Sequence, residues 1–441
     1  MANRDTNGRR RAAILIAVLG LTALNILAQT LVFRDTFDDG IDTDYLKPYT
    51  DGRDYMGRAL RLVRGEGFTA AFRDGIRMPG YPVFLAAFAG SLERPARGVR
   101  IAQIIISAAA IPLSWLLLLS LMRSRGKALL GASVFALWVP FYYFSPVLYA
   151  ETASIFLIGL LCYSLAGFDP VRRVWTSIPP AIITAALIYM KPNHVLLVPV
   201  FLIFMAYVSR RRGVPVGTRL FLAPVVVVLL LLSPWTVFIS RCQNSLVPLT
   251  THGGWNLYLG SGGYSHTTPW AAGSLATRAW EDLHLSDEEG AADAYGRYTV
   301  ETRAQADRDY RKRALARWTR RPLALTAYGA CKILHSFGFS FRGPRDLVVM
   351  LHFLGSMAFS VYLWKRRRWR EWVLLLWMIT IAVMAQAFLF LPELRFKTVL
   401  FDFPALVVCI LGAGVLLESD FLPGRRGGTR GIDRVRPAAI V

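Results

Sequence analysis

The sequence predicts an all-α polytopic membrane protein, with about ten transmembrane helices and amphipathic outer-face helices in two long extracytoplasmic loops. Three observations carry that prediction. The first is composition: of 441 residues 54% are hydrophobic and only 18% charged, against about 45–50% and 25% in soluble domains, and mean hydropathy is +0.40. That surplus argues against a soluble enzyme, a disordered chain or a nucleic-acid module. The second is length: repeated apolar runs approach the ~20 residues that a helix needs to cross the hydrocarbon core. The third is the placement of charge. With 51 Lys and Arg against 29 Asp and Glu the net charge is +22, and the basic residues stand at the ends of apolar runs, as topology-setting residues do.

The expected spans are 12–33, 99–122, 128–144, 148–168, 177–190, 194–209, 219–240, 346–364, 371–391 and 398–418. The first is longer than a signal-peptide core and no small-residue cleavage site follows it, so it reads as a retained helix. Lys191-Pro192-Asn193 reads as a tight outer turn joining two antiparallel spans. With the N-terminus in the cytoplasm, the short inner loops hold Arg123, Arg125 and Lys127, then Arg172 and Arg173, then Arg210 to Arg212, then Lys365 to Arg368. The tail 419–441 is basic too. Both termini are therefore expected in the cytoplasm, with the chain integral to the plasma (inner) membrane. The outside owns 34–98 and 241–345, and 1–441 reads as one membrane domain. The apolar stretch 323–340 is placed on or partly in the outer face, because making it a span would move Lys365 to Arg370 outside. Before it, Glu301 to Arg321 reads as a basic interfacial helix able to touch anionic head groups.

In the first outer loop, Tyr55, Met56, Ala59, Leu60 and Val63 recur at helical spacing, with Arg53, Asp54, Arg58, Arg61 and Arg64 between them. This is a short amphipathic helix expected to lie flat on the membrane. Asp51 stands at its start, where it suits both an N-cap and a carboxylate facing a lipid-borne substrate. Asp44 and Asp54 are weaker candidates of the same kind. Arg77-Met78-Pro79-Gly80-Tyr81-Pro82 is a rigid turn into an apolar segment. Glu151 lies near the outer end of a span, where an ionisable residue is a functional candidate or the partner of an Arg. His252 and Asn256 sit in a Gly-rich aromatic stretch with Gly253, Gly254, Trp255, Tyr258 and Gly260, which suits sugar contact or a plain connector. The four Cys make no disulfide framework, and no Cys/His spacing resembles a zinc site.

These elements, taken in order, resemble the GT-C membrane glycosyltransferases. The nearest branch is the bacterial family 39, which is dolichyl-phosphate-mannose-protein mannosyltransferase-like and related to the aminoarabinose transferases. The resemblance rests on Asp51-x3-Tyr55-x3-Ala59, Gly65-x-Gly67-Phe68, Arg77-x-Pro79-Gly80-Tyr81-Pro82, Ser145-Pro146-x4-Glu151-Thr152, Lys191-Pro192-Asn193, Pro234-Trp235, Gly253-Gly254-x-Asn256 and Pro392-Glu393-x-Arg395-Phe396. Two positions depart from the family pattern. Lys191 replaces an Arg and so lacks the planar fork that grips phosphate, and Arg241 is displaced from its usual distance after Pro234-Trp235.

The resemblance implies an inverting transferase that moves a sugar from a polyprenyl-phosphate donor to an acceptor hydroxyl at the extracytoplasmic face. The acceptor would be a glycan, a lipid or a protein. It implies Asp51 as catalytic carboxylate, with Glu151 and Asp54 as further candidates. Lys191, Arg395, Arg77 and Arg241 become candidate cations for the donor phosphate. Tyr55, Tyr81, His252 and Asn256 become candidate sugar or acceptor contacts. Nothing in the residues demands a metal, although some relatives use a divalent cation. Competing readings are a lipid-linked glycan transporter, which predicts broken mid-membrane helices and internal repeats, and an O-antigen ligase or polymerase acting on a diphosphate donor.

Overall fold

A computed structural model describes residues 2–34, 51–89, 95–262, 275–283, 298–341, 343–390 and 397–420. Every regular element among them is helical. In chain order these are α1 (Ala2–Val32), α2 (Asp51–Val63), α3 (Phe68–Phe72), α4 (Gly80–Phe88), α5 (Pro95–Met122), α6 (Arg125–Leu137) and α7 (Val139–Tyr142). Next come α8 (Glu151–Ala166), α9 (Arg173–Met190), a 3-10 turn (Pro192–Leu196), α10 (Leu197–Arg211), α11 (Thr218–Cys242) and α12 (Gly253–Gly260). The rest are α13 (Leu275–Asp282), α14 (Arg303–Arg320), α15 (Pro322–Ser336), α16 (Pro344–Lys365), α17 (Arg370–Leu389), a π-turn (Thr398–Asp402) and α18 (Phe403–Asp420).

Six segments are long and apolar enough to cross a membrane: Arg11–Val32, Pro95–Met122, Pro192–Arg211, Thr218–Cys242, Pro344–Lys365 and Arg370–Leu389. Glu151–Ala166, Trp175–Met190 and Asp402–Leu417 are apolar but shorter. The expected span 128–144 is interrupted. Helix α6 has 13 residues and ends at Trp138, whose backbone leaves the helical region at ψ 88°. Pro140 then opens the one-turn α7, near a helix start where its missing N–H costs nothing. The expected turn at Lys191 is present as the 3-10 turn.

The apolar helices form one bundle. Helix α5 packs on α1, α6 and α8, α9 packs on α11, α10 on α17, and α16 on α18. Phe201, Phe204, Trp372, Leu376, Phe403 and Val407 lie in its core and are almost wholly buried. Arg211 on α10 meets Glu371 on α17 at 2.8 Å, which puts those two helix ends side by side. The opposite end of the bundle carries residues 51–89 and 243–262.

Helix α2 does not offer its apolar face to lipid. Tyr55, Met56, Ala59 and Leu60 are buried in a cluster with Tyr81, Leu85, Val99, Leu148 and Ala150. The amphipathic pattern marks a buried side, and here protein supplies the apolar partner that the sequence reading assigned to the membrane. Gly80 permits a close contact with the bundle: a Cβ there would lie 2.6 Å from the carbonyl oxygen of Tyr189 on α9.

Gly80→Ala must push α4 away from α9, because the obstruction is backbone and not the tip of a flexible side chain. We expect it to cost about 1–3 kcal/mol, read as a lower thermal midpoint in detergent. Gly57→Ala meets open space and is expected to raise the midpoint slightly through helix propensity. Equal midpoints for the two variants would contradict this packing.

Candidate active site

Five charged side chains from α2 and the loop before α4 form one network. The Arg77 guanidinium donates through Nη2 to Asp51 Oδ1 at 2.6 Å and through Nε to Asp54 Oδ2 at 2.7 Å. Its face lies over the Tyr55 ring, 5.0 Å from the centroid. Arg58 bridges Asp54 Oδ1 at 3.0 Å and grips Asp74 with both terminal nitrogens at 2.8 and 2.7 Å. It also donates to the Ala71 carbonyl at 2.7 Å. Helical spacing explains part of this. Asp54 and Arg58 are four residues apart and share a face, as i,i+4 pairs do, while the Pro79-Gly80 turn brings Arg77 back onto the start of α2.

The electrostatics follow from this crowding. Burial alone would raise the Asp54 carboxyl, but Arg58 and Arg77 outweigh it and hold the group below the ordinary carboxylate range. Burial acts against the Arg77 charge, yet Asp51 and Asp54 keep that guanidinium protonated well beyond its usual range. The network sums to −1 by formal charge, with Asp51, Asp54 and Asp74 against Arg58 and Arg77.

The second long segment is tied onto this network. Thr251 donates its backbone N–H to Gly75 O at 2.9 Å and its hydroxyl to Asp74 O at 2.7 Å. The Gln243 amide nitrogen donates to Arg73 O at 2.7 Å and Val300 O at 2.9 Å, and its oxygen accepts from Ala304 N at 2.9 Å. His252 follows Thr251 directly. Its imidazole is pushed down to about 3, first by burial and then by the nearby Arg77 charge, with Arg303 adding to the effect. It is therefore neutral at physiological pH and able to exchange a hydrogen bond, but too weak a base to hold a proton there.

The Gly-rich stretch after His252 is the helix α12, not an open loop. A Cβ at Gly254 would strike the backbone of Asp307, and one at Gly260 the backbone of Leu389. Those glycines serve close packing at both ends of α12. The Asp307 carboxylate also accepts from Gly254 N at 2.5 Å, supplying negative charge at the helix N-terminus. Trp255 and Tyr258 pack on Tyr310, with ring centroids 4.7 and 5.2 Å apart. At the other end, buried Lys332 on α15 donates to Gly260 O at 2.6 Å and Phe390 O at 2.9 Å, joining the C-terminal ends of α12 and α17.

The structure thus brings together Asp51, Asp54, Tyr55, Arg77 and His252. Asn256 sits one turn into α12, half-buried. Tyr55 and Tyr81 are buried, their rings meet edge to face at 5.0 Å, and the Tyr81 hydroxyl donates to Gln103 Oε1 at 2.7 Å. Both support the network from beneath. Glu151 pairs with Lys191, Oε1 to Nζ at 2.6 Å, in a buried setting. The partner of Glu151 is thus a Lys and not an Arg, and the two charges compensate each other. Arg241 is exposed at the end of α11. Asp44 and Arg395 lie outside the described residues.

Sequence reasoning missed Arg58, Asp74, Gln243, Thr251 and Arg303. Apart from the i,i+4 pair of Arg58 with Asp54, the contacts that place them reach backbone groups or charges distant in sequence, which no local pattern marks. It also missed a second buried cluster, where Asp402 in the π-turn pairs with Lys397, lies 3.6 Å from His352 Nδ1 and accepts from Trp138 Nε1 at 3.2 Å. A π-turn is a rare irregularity that often accompanies special chemistry. A divalent cation does not fit what is described. Among the described residues no group of three or more His, Cys, Asp or Glu stands in a metal-holding arrangement, and Asp51 and Asp54 both face Arg77.

Compared with models of known protein families and with curated proteins, the chain matches none.

Two predictions arise from this network. Removing Arg77 as Arg77→Met leaves Asp51 and Asp54 facing each other without their shared cation. The expected cost is about 2 kcal/mol, below that of a fully buried pair because these groups keep some solvent, and Arg77→Lys recovers part of it. Thermal unfolding of the two variants checks this. The second concerns pH. The folded-state value of His252 lies near 3 against 6.5 for an unperturbed histidine, so below about 6.5 the unfolded chain takes up a proton that the folded one refuses. Stability then falls as pH drops from about 6.5 toward 3. His252→Gln is expected to flatten the slope of midpoint against pH in that window, and an unchanged slope would count against the neutral imidazole.

Proposed function

We propose that this chain is an inverting GT-C-like glycosyltransferase that moves a sugar from a polyprenyl-phosphate donor to an acceptor hydroxyl at the extracytoplasmic membrane face. The observation that carries the reading is the ion network in which Asp51, at the first turn of α2, faces Arg77 and lies within the electrostatic reach of His252. Acidic, basic and neutral hydrogen-bonding groups converge there at one end of an apolar bundle. In the proposed topology about ten membrane crossings place that end outside, and the basic turns at Arg123, Arg172, Arg210 and Lys365 inside.

In the proposed reaction Asp51 takes the proton of the acceptor hydroxyl as its oxygen attacks the anomeric carbon. The bond from that carbon to the phosphate oxygen breaks on the opposite side, which inverts the centre and leaves a polyprenyl phosphate. Arg77 orients Asp51. Asp54 is held ionised between two guanidiniums and serves as a fixed charge instead of a base. His252 offers a hydrogen bond to the acceptor. A phosphate dianion near a network of charge −1 needs further cations. The Nη1 side of Arg77, Arg303 beside His252, and Arg395 in the family-like Pro-x-Arg element are the proposed sources. Lys191 is assigned to Glu151, and Arg241 to the head-group region.

The test compares Asp51→Asn, Asp51→Ala and Asp54→Asn in the purified protein, with radiolabelled polyprenyl-monophosphate and diphosphate sugars as donors and membrane extract as acceptor. Asp51→Asn is expected to keep its fold and lose turnover about 10²–10⁴-fold, the range of a general base, while Asp54→Asn loses less turnover and more stability. Full turnover by Asp51→Asn would remove the base assignment. Use of diphosphate donors alone would favour the ligase reading, and transbilayer movement of an uncleaved donor the transporter.

A further inference from the structure

Helix α14 and the corner that joins it to α15 carry charge that the proposed reaction does not use. Residues 301–321 hold eight Arg and Lys against three Asp and Glu. One side of α14 is committed to the protein: Ala306, Tyr310 and Ala314 are almost wholly buried. The opposite side exposes Arg308, which also donates to Ser245 Oγ at 2.6 Å, and Lys312; Arg313, over the Tyr310 ring, and Arg320 are exposed along its edge, with Arg321 exposed at the corner. Two large apolar side chains stand among these cations. Leu315 is 55% exposed on the basic face, and Leu323, at the start of α15, is 85% exposed. A helix face made only for water has no use for leucines set between arginines. Leucines set among cations are the pattern of an interfacial helix.

The depth of this corner is set by α17, whose most apolar 18-residue stretch has a mean hydropathy of 2.1 and whose 20 residues span about 30 Å, the thickness of a hydrocarbon core. Phe388 lies in its last turn. Trp318 of α14 packs on Phe388 with ring centroids 5.4 Å apart, and Gly329 of α15 faces the same ring. The α14–α15 corner therefore sits at the level where α17 leaves the apolar layer, where Trp is favoured and anionic head groups lie. Arg317 is spent inward, donating to Ser261 O and Gly262 O at 3.1 Å, so the face that holds α12 is distinct from the exposed one.

We propose that the exposed face of α14 and its corner with α15 dock on anionic phospholipid head groups of the surrounding leaflet, with Leu315 and Leu323 entering the acyl boundary and Arg308, Lys312, Arg320 and Arg321 binding phosphates. This requires only that α17 crosses a membrane, and it stands whether or not the transferase reading does. The docked face would hold α14 and, through Gly254 and Asp307, the helix that carries His252.

The experiment uses the purified full-length protein in mixed micelles and reads the thermal midpoint as dioleoylphosphatidylglycerol replaces dioleoylphosphatidylcholine. The midpoint of the wild type is expected to rise with the anionic lipid and the rise to vanish in high salt, with inorganic phosphate producing none. The fourfold variant Arg308→Gln, Lys312→Gln, Arg320→Gln, Arg321→Gln is expected to lose in phosphatidylcholine no more than the exposed Arg308–Ser245 hydrogen bond contributes. Its apparent affinity for phosphatidylglycerol should fall by about two to three orders of magnitude, as a loss of roughly fivefold for each of four surface charges implies. Should that variant fail to fold, Arg320→Gln with Arg321→Gln reads the same effect at about half its logarithmic size. A wild-type rise that either variant retains in full, or that phosphatidylcholine produces equally, overturns the proposal.

Discussion

The loop end of this protein depends on one shared cation. Arg77 donates to two carboxylates, Asp51 and Asp54, and its face covers Tyr55. Without it, two acids at successive turns of one short helix would repel each other beneath a third, Asp74. With it, and with Arg58 on the other side of Asp54, the start of α2 is pinned to the turn that begins α4. Breaking such a pair costs more than forming it gains, because the remaining charge stays partly desolvated. The geometry is thus well specified, which is what a site for chemistry requires, whichever chemistry it performs.

A second layer sits on the first through neutral hydrogen bonds. Gln243 and Thr251 bind the backbone at residues 73–75, and Gln243 also engages Val300 and the first turn of α14. These bonds satisfy backbone groups that the turns leave over, and leaving such groups buried without partners is expensive. His252 is placed beside the ion network as a result. From there α12 runs between two backbone contacts made possible by Gly254 and Gly260, and Lys332 closes its far end. The position of His252 is therefore coupled to α14, α15 and α17, elements distant from it in sequence.

Two buried acids among the described residues are paired with cations. Glu151 with Lys191, and Asp402 with Lys397, His352 and Trp138, each bring opposite charges together in surroundings where a lone ion would be very costly. They link different helices: α8 to the turn after α9, and the start of α18 to α16 and to the end of α6. Such pairs contribute register more than net stability.

Much of the architecture was legible in the sequence, because apolar runs and the basic residues at their ends respond to the membrane as a solvent and need no tertiary information. The helical class, the apolar elements, the turn at Lys191 and the amphipathic α2 all follow from local patterns. The identity of Asp51 as a residue of interest came from its place at a helix start and from the family-like motif around it. Tertiary structure alone decided the rest. Periodicity says that α2 has a buried side but not whether lipid or protein covers it, and only the fold supplies Tyr81, Leu148 and Ala150 as its cover. Glycines 254 and 260 look the same in sequence whether they loosen a loop or admit a neighbouring backbone. The groups that Gln243, Lys332 and the far side of Arg58 engage, such as Asp74, are brought close by chain folding, and a hydrogen bond across such separations leaves no mark on the residues nearby.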